Sequence, residues 1–219
     1  MKSLLAGFLL LSFVTSANAV FTSEDYLNAG DGLITRDSDS GLEWLDLTET
    51  TGMSYNQVIA ELGAGGSLYG WEYATGTQFE TMLANYTGYT NTSSGLSIFP
   101  NETNSIDDLI QLLSNTNSGN TDNSPSKLNY SEGLIADTYA LANNEIAQRR
   151  ALLYDYDESS LSDDFARTYA GILAADLAST NIGSFLVRST TTVGVSEASS
   201  LWLLAMGMLG LFGAARRNT

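Results

Sequence analysis

LITRDSDSGLEWLDL, residues 33–47, is the stretch on which the fold turns. Two short runs carrying apolar residues flank Asp37, Ser38, Asp39, Ser40 and Gly41. Those residue types bend a chain, because Asp and Ser hydrogen-bond to their own backbone and Gly tolerates positive φ. The spacing predicts a β-hairpin with 33–37 as first strand, 37–41 as turn and 42–47 as return strand. Leu42 and Trp44 alternate, while Leu45 and Leu47 take the other phase, so the return strand reads as strongly apolar with a shift inside it.

The rest of the body continues a mixed pattern. Ser54 is a candidate N-cap for a helix over 51–62, with Val58, Ile59 and Leu62 spaced to face a core. Gly63 to Gly66 ends it. Residues 69–74 read as an aromatic strand. Thr77 is then the expected cap of a helix carrying Phe79, Met82 and Leu83, with Glu80 in the capping-box position. Residues 85–105 have the composition of a surface loop, 106–114 that of a short amphipathic helix, and 115–126 that of a mobile polar segment. Residues 127–156 contain Ala-Leu and Ala-Ile pairs that fit strand and helix alike. SFLVR, 184–188, reads as a last buried strand. No internal repeat is present. Residues 20–189 therefore form one α+β domain in this reading, followed by a linker over 190–196.

Both ends carry targeting patterns. Lys2, an apolar run over 4–14 and the small-x-small triplet Ala17-Asn18-Ala19 make residues 1–19 a secretory signal. At the other end, Leu201 to Ala215 is apolar and Arg216 and Arg217 follow at once. That reads as a membrane helix with its arginines inside and the body outside the cytoplasm, the alternative being a buried helix of a soluble domain. Gly207, Gly210 and Gly213 recur every third residue, which suits close approach by another helix.

VSEASSLWLLAMGMLGLFGAARRNT, 195–219, resembles the PEP-CTERM sorting signal of Gram-negative bacteria. Glu197 matches the central glutamate of that signal, and Arg216 and Arg217 match its basic end. Ser196 and Ala198 stand where the signal has prolines. The resemblance implies an inner-membrane-anchored precursor, recognition by an exosortase, removal of the tail, and delivery to the cell surface or an extracellular biofilm matrix. Within the body, SGLEWLDLTET (40–50), GWEYATGTQFETML (70–83) and GSFLVRS (183–189) are similar to a domain common in PEP-CTERM proteins. They are more distantly similar to Lcl-type surface domains, which implies a single C-type-lectin-like fold with long polar loops. Glu72 replaces that pattern's arginine and Ala74 its proline. The middle of the body, 86–148, has no counterpart in either pattern.

Composition narrows the chemistry. The 219 residues include 25 acidic and 9 basic side chains, no histidine and no cysteine, for a net charge of −16. Such a surface repels nucleic acid and anionic lipid. Without histidine and cysteine there is no Ser-His-Asp triad, no cysteine nucleophile and almost no route to a zinc site. Carboxylate pairs, a lysine, or a metal held by oxygen ligands remain.

Two acidic groups are candidates for the last of these. Asp37, Asp39, Glu43 and Asp46 begin like a calcium loop but lack its remaining spacing, and an Asx turn explains them as well. Asp155, Asp157, Glu158, Asp163 and Asp164 form the second group. Asp155, Asp157, Asp163 and Asp164 are its candidate ligands for calcium, with a solvated loop as the alternative. Trp44 and Trp71 read as core residues, the alternative being platforms on which sugars stack. The combined expectation is an exported, non-enzymatic surface or matrix protein with a structural or binding role and no catalytic residues or cofactor. Exopolysaccharide and the processing enzyme are its expected partners. A calcium-dependent carbohydrate-binding module and a carboxylate-dependent glycoside hydrolase are the alternatives. Cleavage after Ala19 predicts that the exported chain begins at Val20, which intact-mass measurement of the secreted form checks; a retained Met1 refutes it.

Overall fold

The computed structural model describes residues 20–88, 96–99, 105–119, 128–142, 145–156 and 164–190. The predicted secretory signal, Ala17 and Ala19 included, and the predicted sorting signal with Glu197, Arg216 and Arg217 lie outside the described residues, as does most of the 190–196 linker. The described fold is mixed α and β, with two strand-rich sheets and three helices. Among these residues no helix is long and apolar enough to cross a membrane.

The hairpin forms where the sequence puts it. β1 (Phe21–Glu24) pairs antiparallel with β2 (Ile34–Asp37), and β2 pairs with β3 (Leu42–Leu45), Ile34 lying opposite Leu45 and Asp37 opposite Leu42. The return strand is shorter than expected. Leu47–Thr50 is a 3-10 turn capped by Asp46, whose carboxylate accepts from Thr48 N at 2.9 Å. β4 (Glu72–Tyr73) and β11 (Leu186–Ser189) complete the first sheet in the order β1-β2-β3-β11-β4.

The apparent phase shift in 42–47 has a physical cause: neighbouring residues of β3 enter two different cores. Trp44 packs with Phe79 and Met82 of α2 (Gly76–Thr87) and with Ile106 and Leu109 of α3 (Ser105–Leu113). Leu45 packs instead with Ile34, Trp71, Tyr73 and Val58 of α1 (Tyr55–Leu62). β11 divides in the same way, Leu186 into the second core and Val187 into the first. A strand covered on both faces loses its polar alternation.

Local capping chemistry sets the helix boundaries. Ser54 caps α1 and Gln57 returns the bond, so the helix starts at Tyr55 rather than 51. Val58 is buried, but Ile59 is 44% exposed and does not face the core as its spacing suggested. The aromatic strand expected over 69–74 shrinks to β4, and Tyr69 is exposed. α2 is capped by Thr75 with Gln78, not by Thr77 with Glu80. The cause is tertiary. The Gly76 N–H donates to Asp137 Oδ2 at 2.6 Å, and a Cβ on Gly76 would meet Thr168 Cγ2 and Tyr169 Oη at 2.9 Å, so only glycine lets the helix end dock here. Glu80 instead accepts from Thr168 Oγ1 at 2.8 Å.

Part of the expected loop 85–105 is regular. α2 runs to Thr87, and β5 (Leu96–Phe99) lies within the stretch. α3 follows its predicted span with Ile106, Leu109, Ile110 and Leu113 buried. Likewise β6 (Asn117–Gly119) occupies part of the polar segment 115–126. The ambiguous region resolves into long strands, β7 (Leu128–Ala140) and β8 (Ile146–Tyr156), followed by β9 (Asp164–Ala174). β10 (Gly183–Ser184) joins β7 in parallel, β6 pairs with β7, and β5 pairs with β9. Register shifts between Leu134 and Thr138, and between Arg150 and Leu152, break the two-residue period that would have revealed the strands.

Trp44 and Trp71 are 1% and 4% exposed, as the core reading expects. Replacing either by alanine should cost about 3–5 kcal/mol, the usual penalty for removing a buried large aromatic. Chemical denaturation measures it; a loss below about 1 kcal/mol at Trp44 refutes the core assignment.

Candidate functional site

With no histidine and no cysteine, the carboxylates are the chain's main candidates for metal or catalytic work. Asp37 is fully buried and accepts from Asp39 N at 3.0 Å, Ser40 N at 3.3 Å, Ser40 Oγ at 2.6 Å and Asn85 Nδ2 at 2.9 Å. Asp46 accepts from Thr48 N, Thr48 Oγ1 and Ser114 Oγ. Glu43 pairs with Arg188 at 2.6 Å. These groups close turns and tie elements together, which is the Asx-turn reading of the first cluster.

For the second cluster, Asp155 is the last residue but one of β8 and Asp164 begins β9, each one position beyond the Tyr154–Phe165 pair. Both are buried, on the face that also buries Leu153 and Ala166. Asn129 Nδ2 donates to Asp155 at 3.3 Å. Asp157, Glu158 and Asp163 lie outside the described residues. Among the described residues no group of three or more acidic side chains is arranged to hold a metal ion.

The site with uncommitted chemistry lies elsewhere. A cleft of about 340 Å³ is lined by Ser23 of β1, Gly32, Tyr86 near the end of α2, and Asp108, Gln111 and Leu112 of α3. α3 positions three of these residues by its amphipathic period: 106, 109, 110 and 113 face the core, so 108, 111 and 112 face away. Tyr86 is fixed by an edge-to-face contact with Phe21 at 4.9 Å. Burial, and then the nearby charge of Asp108, raise its phenol pKa, so the hydroxyl keeps its proton. Among the described residues no hydrogen bond or ion pair engages the side chains of Tyr86, Asp108 or Gln111. A carboxylate, a carboxamide and a phenol thus converge on one space with their hydrogen-bonding capacity unused by the described residues.

The opposite wall is set by a carboxylate loop. Asp31 accepts from Tyr26 N at 2.8 Å, Leu27 N at 2.8 Å, Asn28 N at 2.7 Å and Leu33 N at 3.4 Å. Gly32 N donates to Asp25 Oδ1 at 3.1 Å, and Ser23 Oγ donates to Gly32 O at 3.1 Å. These bonds bring Ser23 and Gly32 to the cleft.

Reading the sequence missed this site. The outward face of the 106–114 helix was legible from its apolar period, but the meeting of Asp108 and Gln111 with Tyr86 and Ser23 is tertiary and leaves no local signal. Nor does Trp71 form an open platform. Its ring lies under the Arg188 guanidinium at 4.4 Å and against Tyr26 at 5.7 Å, and the indole N–H groups of Trp71 and Trp44 are buried with no acceptor among the described residues. Comparison with known proteins adds no relative: no family profile, curated protein or solved structure matches this chain.

The backbone bonds at Asp31, that from Tyr26 first, lower its carboxyl pKa from 3.8 to about 2. A depressed carboxyl stabilises the folded loop above its ordinary pKa, and the contribution is lost as pH falls through the folded value. The amide signals of Tyr26, Leu27 and Asn28 should therefore titrate together with a midpoint near 2, followed by NMR. A midpoint at the ordinary 3.8 refutes the loop geometry.

Proposed function

We propose that this chain is an exported, non-enzymatic protein of the cell surface or extracellular matrix whose body binds an uncharged polyhydroxylated ligand, a saccharide unit of an exopolysaccharide. The observation that carries the binding assignment is the cleft lined by Ser23, Tyr86, Asp108 and Gln111, where the last three converge without hydrogen-bond partners among the described residues. A sugar hydroxyl both donates and accepts. The carboxylate accepts, the carboxamide and the phenol do both, and Leu112 offers an apolar surface for the C–H face of a ring. The Asp108 charge and the net charge of −16 disfavour an anionic ligand.

The non-enzymatic reading is supported by how the buried carboxylates of the first cluster are used. Asp37 and Asp46 are each held by several donors that shape the fold, which leaves neither to exchange protons with a substrate. Export, an inner-membrane-anchored precursor and exosortase processing rest on the terminal patterns, residues 1–19 and 197–219. The C-type-lectin-like architecture is part of the same proposal. It is supported by the adjacency, in one sheet, of the Leu42–Leu45 and Leu186–Ser189 strands, the segments that carry the resemblance.

Purified full chain is incubated with a panel of neutral polysaccharides, with and without calcium, and retention and new reducing ends are both measured. Retention without cleavage is expected, falling at least about tenfold in Asp108→Ala and Tyr86→Ala, since each removes a convergent polar contact. New reducing ends that vanish on neutralising one Asp or Glu refute the non-enzymatic reading. Retention that needs calcium and is lost in Asp155→Asn or Asp164→Asn, with Asp108→Ala unaffected, moves the site to the β8–β9 end.

A further inference from the structure

The cleft has two walls, and one buried residue is joined to both. Ser23 on β1 lies directly opposite Thr35 on β2. Thr35 in turn donates its hydroxyl to the Leu112 carbonyl of α3 at 2.6 Å. Leu112 lines the cleft with Asp108 and Gln111, and Ser23 lines its other side. Thr35 itself is 1% exposed and is not among the lining residues, so it acts on a ligand only through them.

Strand register explains the arrangement. Side chains alternate along a strand, so Thr35 and Asp37 share one face of β2, and their partners Ser23 and Phe21 share that face of β1. Trp44, opposite Thr35 on β3, enters the core made by α2 and α3, which makes this the helix-covered face. Asp37 accepts from Asn85 of α2 at 2.9 Å, next to the Tyr86 that meets Phe21. β2 therefore holds α2 through Asp37 and α3 through Thr35. Asp37 also closes the hairpin turn, whereas Thr35 holds α3 by one bond. The last carbonyls of a helix find no partner within it. Leu112 belongs to the last turn of α3, and the Thr35 hydroxyl satisfies its carbonyl. A part-buried acceptor left unpaired is costly, so losing that hydroxyl drives the helix end toward water. Gln111 and Asp108 move with it, one residue and one turn back along the helix.

We infer that Thr35 is the positioning residue of the cleft: its hydroxyl sets how far Asp108 and Gln111 stand from Ser23, and so whether their polar groups engage one saccharide unit together. The inference rests on the saccharide reading of the cleft. Convergent groups bind as a set only when each is held close to its working position. Ser114 and Ser131 fix the chain after α3 against Asp46 and β7. The Thr35 bond instead fixes α3 against the strand that pairs with the Ser23 wall.

Thr35→Val removes the donor at similar shape, and Thr35→Ser keeps the donor without the methyl group. Should Thr35→Val fail to melt cooperatively, Thr35→Ala, which also lacks the donor, takes its place. The full chain in mild detergent is measured in two ways. It has no cysteine, so Thr22→Cys with Gln111→Cys, both exposed, takes a pair of spin labels that report the spacing of β1 and α3 without any ligand. One narrow distance is expected with Thr35 in place, a longer or broader distribution with Thr35→Val, and the narrow distance again with Thr35→Ser. Retention on the neutral polysaccharide that the unaltered chain holds best should fall about tenfold in Thr35→Val, with circular dichroism unchanged, and recover in Thr35→Ser. An unchanged label distance in Thr35→Val overturns the inference whatever the chain binds. So does native retention in Thr35→Val where Asp108→Ala has lost it, or Thr35→Ser behaving as Thr35→Val does. Native retention in both Asp108→Ala and Tyr86→Ala refutes the saccharide reading instead, and the label distances then decide the positioning.

Discussion

Burial of the first sheet on both faces is the constraint from which the rest of the body follows. β3 and β11 each send one residue into the core made by α2 and α3 and the next into the core made with α1: Trp44 then Leu45, Val187 then Leu186. β7 does the same with Leu134 and Ile135. Three strands therefore act as partitions, and neither core can shift without moving the other. The close approach this needs is visible at Gly183, where an added Cβ would lie 2.4 Å from the Leu47 carbonyl oxygen.

With no disulfide, the links between elements are polar. Asp37 ties the hairpin turn to Asn85 of α2, and Thr35 Oγ1 donates to the Leu112 carbonyl at 2.6 Å. Ser114, just past α3, sits in the left-handed region at φ 65°, which a serine adopts only at a cost. Its hydroxyl donates to Asp46 and its carbonyl accepts from Ser131 Oγ at 2.6 Å, so bonds to two other elements offset that cost. An acidic composition is here partly a structural resource, since buried carboxylates serve as acceptors that hold turns and helix ends.

What was legible in the sequence was whatever is decided within a few residues. The Asp-Ser-Asp-Ser-Gly turn, the Ser54 cap and the 106–114 helix all depend on neighbours in the chain, and they stand as read. Tertiary contacts decided the rest. Thr75 displaced Thr77 as a cap because Asp137, 61 positions away, holds the Gly76 N–H. Ile59 faces out, and Tyr55, Val58 and Leu62 are the residues of α1 that pack into the second core. The long strands were hidden by bulges that interrupt alternation, and the cleft draws on β1, the loop before β2, α2 and α3, which nothing local connects. The indoles were read correctly as core because each stands among apolar neighbours whose pattern is itself local.

The distribution of charge connects the fold to its surroundings. Three arginines of the body, Arg36, Arg150 and Arg188, are paired with Glu24, Glu132 and Glu43. Burial nonetheless raises the pKa of Glu132 above the ordinary carboxylate value, with Arg150 pulling it back, so that pair sits where charge is poorly solvated. Arg149 differs: it has no carboxylate partner among the described residues and lies against two tyrosine rings, where the ring faces attract its charge. Three of the five arginines among the described residues are thus paired with acids, while the chain as a whole carries a net charge of −16. Such a charge holds copies and anionic polymers at a distance, and an approach that succeeds must come through neutral chemistry. The cleft offers it, where Tyr86, Asp108 and Gln111 have no hydrogen-bond partner among the described residues.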